Sequence, residues 1–471
     1  MAIVRDRELL GEKGEVPISL MVKCLAEHQK GIERLNRLEK YYNGEHIIMS
    51  RSRSQDLPNN KLVCNHAEYI TDMATGYFIG NKISYKGSNV DGIMERFKIN
   101  NIHAVDTNIC KSLSIFGAGY ELIYMSNDES PVIQSVYLDP RKTMLVVDNT
   151  VERNPMFAVY YSEKIKDDGQ TDGYYVNLYT DKQEIRYYMK DITSTNTTEL
   201  EAHEHFFGEV PVIEYLNKSN AQGDFEGVIS LIDAYNLLQS DRTNDKEQQV
   251  DSLLVLKGTS MGDDYDEASK NAKMLKEQKM LELPTDGNAA WLSKALNETE
   301  VEVLKNAIKN DIHEFSKIPC LTDENFASNA SGVAMKYKLL GLEQLAKIKE
   351  GYYFMGLRKR LRLYAKILNI KSKNPDQFIS DIEVIMVRSS PVNELEVAQL
   401  VSMLDGQVSH ETRISLLPFV SDVSSELEKV ALEKNDEVEK QRRMMGYDIP
   451  IIPTDENDEH TEEKEDVSNE E

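Results

Sequence analysis

The sequence is poor in the residues that would mark several common classes of protein. It has one tryptophan and four cysteines in 471 residues. Cys24, Cys64, Cys110 and Cys320 are scattered, with no Cys-x-x-Cys pair. That spacing provides neither a disulfide scaffold nor a cysteine zinc module, and reduced thiols in a cytosolic protein are expected. No apolar run approaches the ~18 residues of a membrane span. The first ten residues contain acids and no apolar core, so no signal peptide is expected. No GxxxxGK[ST] phosphate loop occurs, which places any ATPase in another protein. None of the nine histidines falls in an HExxH pair.

Positive charge is also short. Fifty-five Lys and Arg face 80 Asp and Glu, a net charge of -25. Thr454 to Glu471 hold ten acids and one lysine with almost no apolar residue, and this tail is expected to be disordered. The remainder still carries about -16, which argues against a free-standing DNA-binding protein, because phosphate binding rests on Lys/Arg neutralisation. It does not prevent DNA from passing nearby without sticking.

What is present is a long chain, 40% hydrophobic and 29% charged, with length for two to four domains. Leu20, Cys24, His28, Ile32, Leu35 and Leu38 recur at helical spacing and predict a helix over 17–42, stopped at Asn43-Gly44. Further helices are expected from Asn65 to about Ile79 and over 103–115, with a short strand at Ile83–Tyr85. From Gly117 to about Tyr215 the period changes to short β-type runs separated by turn signals such as Asp139-Pro140 and Asp172-Gly173. No long helix interrupts them, so the sheet is expected to be antiparallel and the fold class α+β.

Residues 224–249 form a helix apolar at one end (Phe225, Val228, Ile229, Ile232, Tyr235) and polar all round at the other. Such a helix leaves the core to bridge solvent or line a wet channel. An αβ insert follows at about 250–296, with strands at Leu253–Leu256 and Met280–Leu283. Asn297 with Glu300 resembles a capping box opening a second helix, with Val301, Leu304, Ile308, Ile312 and Phe315 on one stripe. After a loop of small and amide residues, Thr322 to Gly332, one very long helix runs to about Ile370, with Gly341, Gly351 and Gly356 as places to bend. Ile382 to Val387 is a late strand, expected to rejoin the earlier sheet. Helices are expected at about 393–404, 409–416 and 422–445.

Candidate chemistry is sparse. Gly258-Thr259-Ser260-Met261-Gly262 matches GxSxG, but no oxyanion loop exists and the insert is too small for a hydrolase sheet, so a strand-to-helix turn is the simpler reading. His203 and His205 share a face of an extended segment without an identifiable third zinc ligand, so an exposed polar strand is preferred. Arg358, Arg362 and Lys366 share a helix face within the one basic cluster. That face is either salt-bridged surface or a belt toward nucleic acid or a neighbour's acids. Asn325, Phe326, Ser328, Asn329 and Ser331 lie in a loop between two long helices. There amides and hydroxyls can touch phosphates without reading sequence.

Taken together, Leu38–Ile48 (LEKYYNGEHII), Asn59–Asn65 (NNKLVCN), Thr75–Gly80 (TGYFIG), and Ser316–Pro319 followed by Asn325–Lys336 (NFASNASGVAMK) resemble, in order, the portal proteins of tailed bacteriophages of the SPP1 type. The resemblance covers roughly residues 15–445. It implies a mixed helix and antiparallel-sheet wing (1–223), stem helices (224–249 and 297–317), a small αβ clip (250–296), a tunnel loop (318–332), a long kinked helix returning to the wing (333–392), a helical crown (393–447) and a disordered tail (448–471). It further implies a ring of about a dozen copies at one capsid vertex. Implied partners are a terminase, a head-completion adaptor, major capsid and scaffold proteins, and non-specific double-stranded DNA in the channel. A virion component assembled in the bacterial host cytoplasm is expected, without membrane, cofactor, metal or catalytic residues. Gln239, Arg242, Lys246 and Lys305 are expected near the channel or between subunits. The alternatives are an oligomeric capsid or adaptor protein without a channel, and a hydrolase using Ser260.

Overall fold

The structure, a computed structural model, describes residues 2–12, 14–54, 57–87, 90–126, 131–250, 253–257, 262–278, 288–292, 298–321, 332–368, 379–389, 394–417, 420 and 423–444. The backbone divides into two units between residues 391 and 392.

In the first unit, helix α1 spans Ile18–Tyr42, α2 His66–Ile79, α3 Asp91–Ile99 and α4 Ile102–Phe116. The Asn65 side chain caps α2, accepting from the Glu68 N–H at 3.2 Å. Gly117 closes α4 at φ +83°, and a Cβ there would lie 2.1 Å from the Ala221 carbonyl, so only glycine fits.

The β-rich region forms two sheets rather than one. Strands β1 (Ile3–Arg5), β5 (Thr143–Asp148), β6 (Pro155–Ile165), β7 (Thr171–Tyr179), β8 (Gln183–Met189) and β9 (Thr197–Glu204) are hydrogen-bonded in that order. A second sheet runs β10 (Val212–Leu216), β3 (Ala118–Met125), β4 (Ile133–Leu138). All neighbours are antiparallel except β1 on β5, which is parallel. The late strand β13 (Glu383–Ile385) pairs with β2 (Ser84–Lys86) in a separate ribbon instead of joining the large sheet.

These elements stack in layers. The first half of α1 places Met21, Cys24 and Leu25 on Val146, Phe157, Val159 and Val176 of the large sheet. The opposite face of that sheet packs Leu145, Val147 and Ala158 against Tyr120 and Leu122 of β3. Because side chains alternate along a strand, Glu121 and Ile123 of β3 face the other way, toward the helices. There Ile109 and Leu113 of α4 meet Tyr353, Leu357, Leu361 and Tyr364 of a long helix. Each such fully buried side chain contributes roughly 1.5–3 kcal/mol by leaving water.

That helix is interrupted at Leu339, giving α8 (Gly332–Lys338) and α9 (Leu340–Leu368). A further core joins the end of α1, α2, the start of α5 (Ile229–Val250) and the end of α7 (Glu298–Ser316). Between α5 and α7 lie β11 (Leu253–Lys257), α6 (Tyr265–Gln278) and β12 (Asn288–Leu292). β11 and β12 form an antiparallel pair with Leu254 opposite Trp291. The strand expected at Met280–Leu283 and the cap expected at Asn297 lie outside the described residues.

The second unit contains α10 (Glu394–Met403), α11 (His410–Ser415) and α12 (Val423–Met444), where helical periodicity predicts three helices. Ser409 caps α11, accepting from the Thr412 N–H at 3.2 Å.

Candidate functional site

α5 and α7 lie side by side and antiparallel. Arg242 pairs with Glu302 at 3.0 Å, and one turn further along α5 Lys246 pairs with Glu298 at 3.1 Å. Lys305 also holds Glu302. Three of the four polar residues singled out on these helices therefore meet as ion pairs within one chain. At this exposure solvent screens the pairs, and they contribute little to stability. The fourth, Gln239, donates to the Tyr235 hydroxyl at 3.4 Å. The expected apolar stripe of α7 enters the core only in part, with Ile308 packed against Ile312 there. Ile312 is buried, while Leu304 and Phe315 are exposed.

The polar end of α5 is polar for a reason the sequence did not disclose. Asn236, Ser240 and Asn244 are fully buried, one helical turn apart, under an extended strap of the same chain. The Cys64 N–H donates to Asn236 Oδ1 at 2.8 Å, the Leu62 N–H to Ser240 Oγ at 3.0 Å and the Asn60 N–H to Asn244 Oδ1 at 2.7 Å. Two residues of extended chain rise ~6.6 Å and four of helix ~6.0 Å, so alternate amides of the strap meet every fourth side chain of the helix. Asn236 also donates through Nδ2 to His46 Nδ1 at 2.7 Å, and His46 Nε2 donates to the Tyr41 carbonyl at 2.9 Å. Arg51 and Arg53 both reach Asp241.

The basic cluster of α9 separates into three environments. Arg358 is exposed. Arg362 pairs with Glu209 at 3.0 Å, and Lys366 holds the same carboxylate and donates to the Phe207 carbonyl at 3.3 Å. Arg360 is fully buried. Its Nε lies 2.9 and 3.0 Å from the two oxygens of Glu121, and its Nη1 lies 2.7 Å from Asp106. Tyr215 donates to Glu121 at 2.6 Å and Tyr353 to Asp106 at 2.8 Å. Burial opposes the charge of Arg360, but Asp106 and Glu121 more than offset it and hold its pKa well above the usual value. Eleven residues earlier on α9, Lys349 lies buried 2.8 Å from Asp224, just ahead of α5. Burial would raise the Asp224 pKa, but the Lys349 ammonium and the Asn217 amide bring it below the usual carboxylate range.

Sequence reading missed Glu121, Asp106 and Asp224, and counted Arg360 and Lys349 only among the basic residues of the long helix. The signal was available for Arg360, which shares a helical stripe with Tyr353, Leu357 and Tyr364. Asn325, Phe326, Ser328, Asn329, Ser331 and Ser260 lie outside the described residues. His203 sits on the exposed edge strand β9, and His205, just past its end, bonds the Thr180 carbonyl at 3.1 Å. Among the described residues, no group of three or more His, Cys, Asp or Glu is placed to hold a metal ion. No described helix is long and apolar enough to cross a membrane.

The family model for phage portal proteins of the SPP1 Gp6-like type matches residues 22–440. The chain belongs to that family. Portal proteins of this kind are structural rather than catalytic. The portal protein of Clostridium phage phiCD119 is 26% identical over 294 residues, which cover 61% of this chain. The match spans 63% of that relative's length, less than two thirds. Among solved structures, a chain from the neck of a native GTA particle computed with C12 symmetry aligns with a TM-score of 0.42 at 11% identity, over 76% of this chain and 91% of that one. A chain from the neck of an empty GTA particle computed with C6 symmetry gives 0.41 at 12% identity, over 75% and 90%. Within the portal-family match, the Asn59–Asn65 motif is the strap on α5, and Leu38 and Tyr41 of the first motif lie in the core that α5 and α7 enter.

Proposed function

We propose that the chain is the subunit of a phage portal, a ring of about a dozen copies at one capsid vertex through which double-stranded DNA is packaged and ejected. Membership of the portal family over residues 22–440 carries this reading. The antiparallel pair α5 and α7, with a small αβ insert between them, supports it. On this reading 1–223 is the wing, 224–249 and 297–317 the stem, 250–296 the clip, 318–332 the tunnel loop, 333–392 the long helix and return to the wing, 393–447 the crown and 448–471 an acidic tail. The clip would receive the terminase during packaging and the head-completion adaptor afterwards, with capsid and scaffold proteins around the wing, in a virion assembled in the host cytoplasm. DNA would slide past a net acidic body rather than bind it.

Electron microscopy of the purified protein together with native mass measurement tests the reading. Rings with a central hole and about a dozen subunits are expected. Closed assemblies without a hole would favour the non-channel adaptor. A chain that stays monomeric even with its scaffold present would overturn the portal reading.

A further inference from the structure

Two helical faces of the first unit are apolar, exposed and opposite in charge. On α7 the exposed residues Glu300, Val303, Leu304, Ala307, Glu314 and Phe315 fall in one stripe about 120° wide at 100° per residue. Val303, Leu304 and Phe315 are 65%, 50% and 67% exposed. No Lys or Arg of α7 belongs to the exposed class, since Lys305 is turned to Glu302.

The second face runs along α8 and α9. Tyr337, Leu340, Ile348 and Met355 are 74%, 49%, 48% and 63% exposed, in a stripe of similar width. Its exposed charges are Lys336, Lys347 and Arg358, with no exposed acid among them. Lys347 leans on Glu343 at 3.8 Å yet stays 69% exposed, and the neighbouring Glu343 and Glu350 are turned to Arg388.

We propose that these faces are partners: the acidic-apolar face of α7 in one copy packs on the basic-apolar face of α8–α9 in a second copy. Like-with-like pairing would set acids on acids and bases on bases, whereas the crossed pairing neutralises both while burying the apolar residues. Such a contact uses two different surfaces of each chain, is therefore heterologous, and repeats until a ring closes. DNA is the weaker occupant for the basic face, because phosphates would neutralise its cations but leave Tyr337, Leu340, Ile348 and Met355 in water. The contact rests on the ring reading above.

Charge reversal with cross-rescue tests it. One variant carries Glu300→Lys and Glu314→Lys, and the other Lys336→Glu and Lys347→Glu. In native mass spectra each alone is expected to lose at least ten-fold in ring population, and an equimolar mixture to restore rings in which the two variants alternate. Restoration also shows that neither variant is misfolded. Rings from the unaltered chain and equally from each variant would overturn the contact while leaving the ring reading intact. Loss in both variants without rescue would overturn the pairing of these two faces. Variants that assemble normally, with duplex DNA binding lost from Lys336→Glu/Lys347→Glu, would make the basic face a nucleic-acid surface instead. Failure of the unaltered chain to form rings would remove both readings.

Discussion

Arg360 and Glu121 face each other with neither side chain exposed to water, the guanidinium Nε 2.9 Å from the carboxylate. The long helix and the central strand of the smaller sheet thus meet through charge in the middle of an apolar layer. Replacing Arg360 by Met leaves Glu121 and Asp106 buried without their cation, and the expected cost is about 3–5 kcal/mol, read as a fall in thermal midpoint. Adding Glu121→Gln and Asp106→Asn should recover most of it, since no uncompensated charge then remains. A single variant as stable as the parent would show that the cluster is not held by ion pairing.

Gly356 gives a packing test on the same helix. A Cβ there would come within 2.3 Å of the Tyr215 ring. Gly356→Ala should cost about 1–3 kcal/mol through overpacking. Gly31 of α1 has nothing within 4 Å of its added Cβ, and Gly31→Ala should stabilise by about 0.4–1 kcal/mol. Thermal unfolding of the two variants should move in opposite directions.

Asn236 tests the strap. Asn236→Ala removes the acceptor of the Cys64 N–H and the donor to His46, with an expected cost of about 1–3 kcal/mol for the groups left unpaired. Hydrogen exchange of the peptide covering residues 59–65 should speed up. Gln239→Ala, which loses one long bond to Tyr235, should leave that peptide unchanged.

His66 predicts a pH dependence. Burial, followed by the positive potential of His313, Lys309 and His46, lowers its pKa from 6.5 to about 4. Its ring lies edge-on to Tyr235 and His313, with centroids at 5.0 and 5.5 Å. Between those two pKa values the unfolded chain binds the proton and the folded chain does not, so stability falls as pH drops through that window. The midpoint of the parent should therefore fall more between pH 7 and 4.5 than that of His66→Gln. His28 and His205 are lowered too and act in both proteins, so the difference isolates His66.

The parts legible in the sequence are those with a strong period. α1, α2, α4 and α7 follow their apolar spacing to within a residue or two, as do most strands between Ala118 and Leu216. α3 went unpredicted because Ile93 and Phe97 alone mark its buried face. β9 carries no alternation, since nearly all of its residues are exposed. The division into two sheets is a matter of strand order, which a run of short β segments does not encode. Among candidate site residues, Arg242, Lys246 and Lys305, expected near the channel or between subunits, meet acids of α7 within one chain, whereas Arg360 was hidden inside a basic run. Counting charges along a line does not reveal which one points inward. The asparagines of α5 looked like solvent-facing residues because their partners lie some 180 positions earlier in the chain.

The strap imposes a rule on chain length. Three amides at alternate positions meet three side chains at every fourth position, so the two segments are commensurate only in a ratio of two to four. Inserting one residue into α5 between Asn236 and Asn244 would turn the later acceptor by about 100° away from the strap. Inserting one residue between Asn60 and Cys64 would turn an N–H outward where a carbonyl had been. Insertions and deletions in relatives should therefore be excluded from both segments, or occur in them together, while the turns of the large sheet accept them freely.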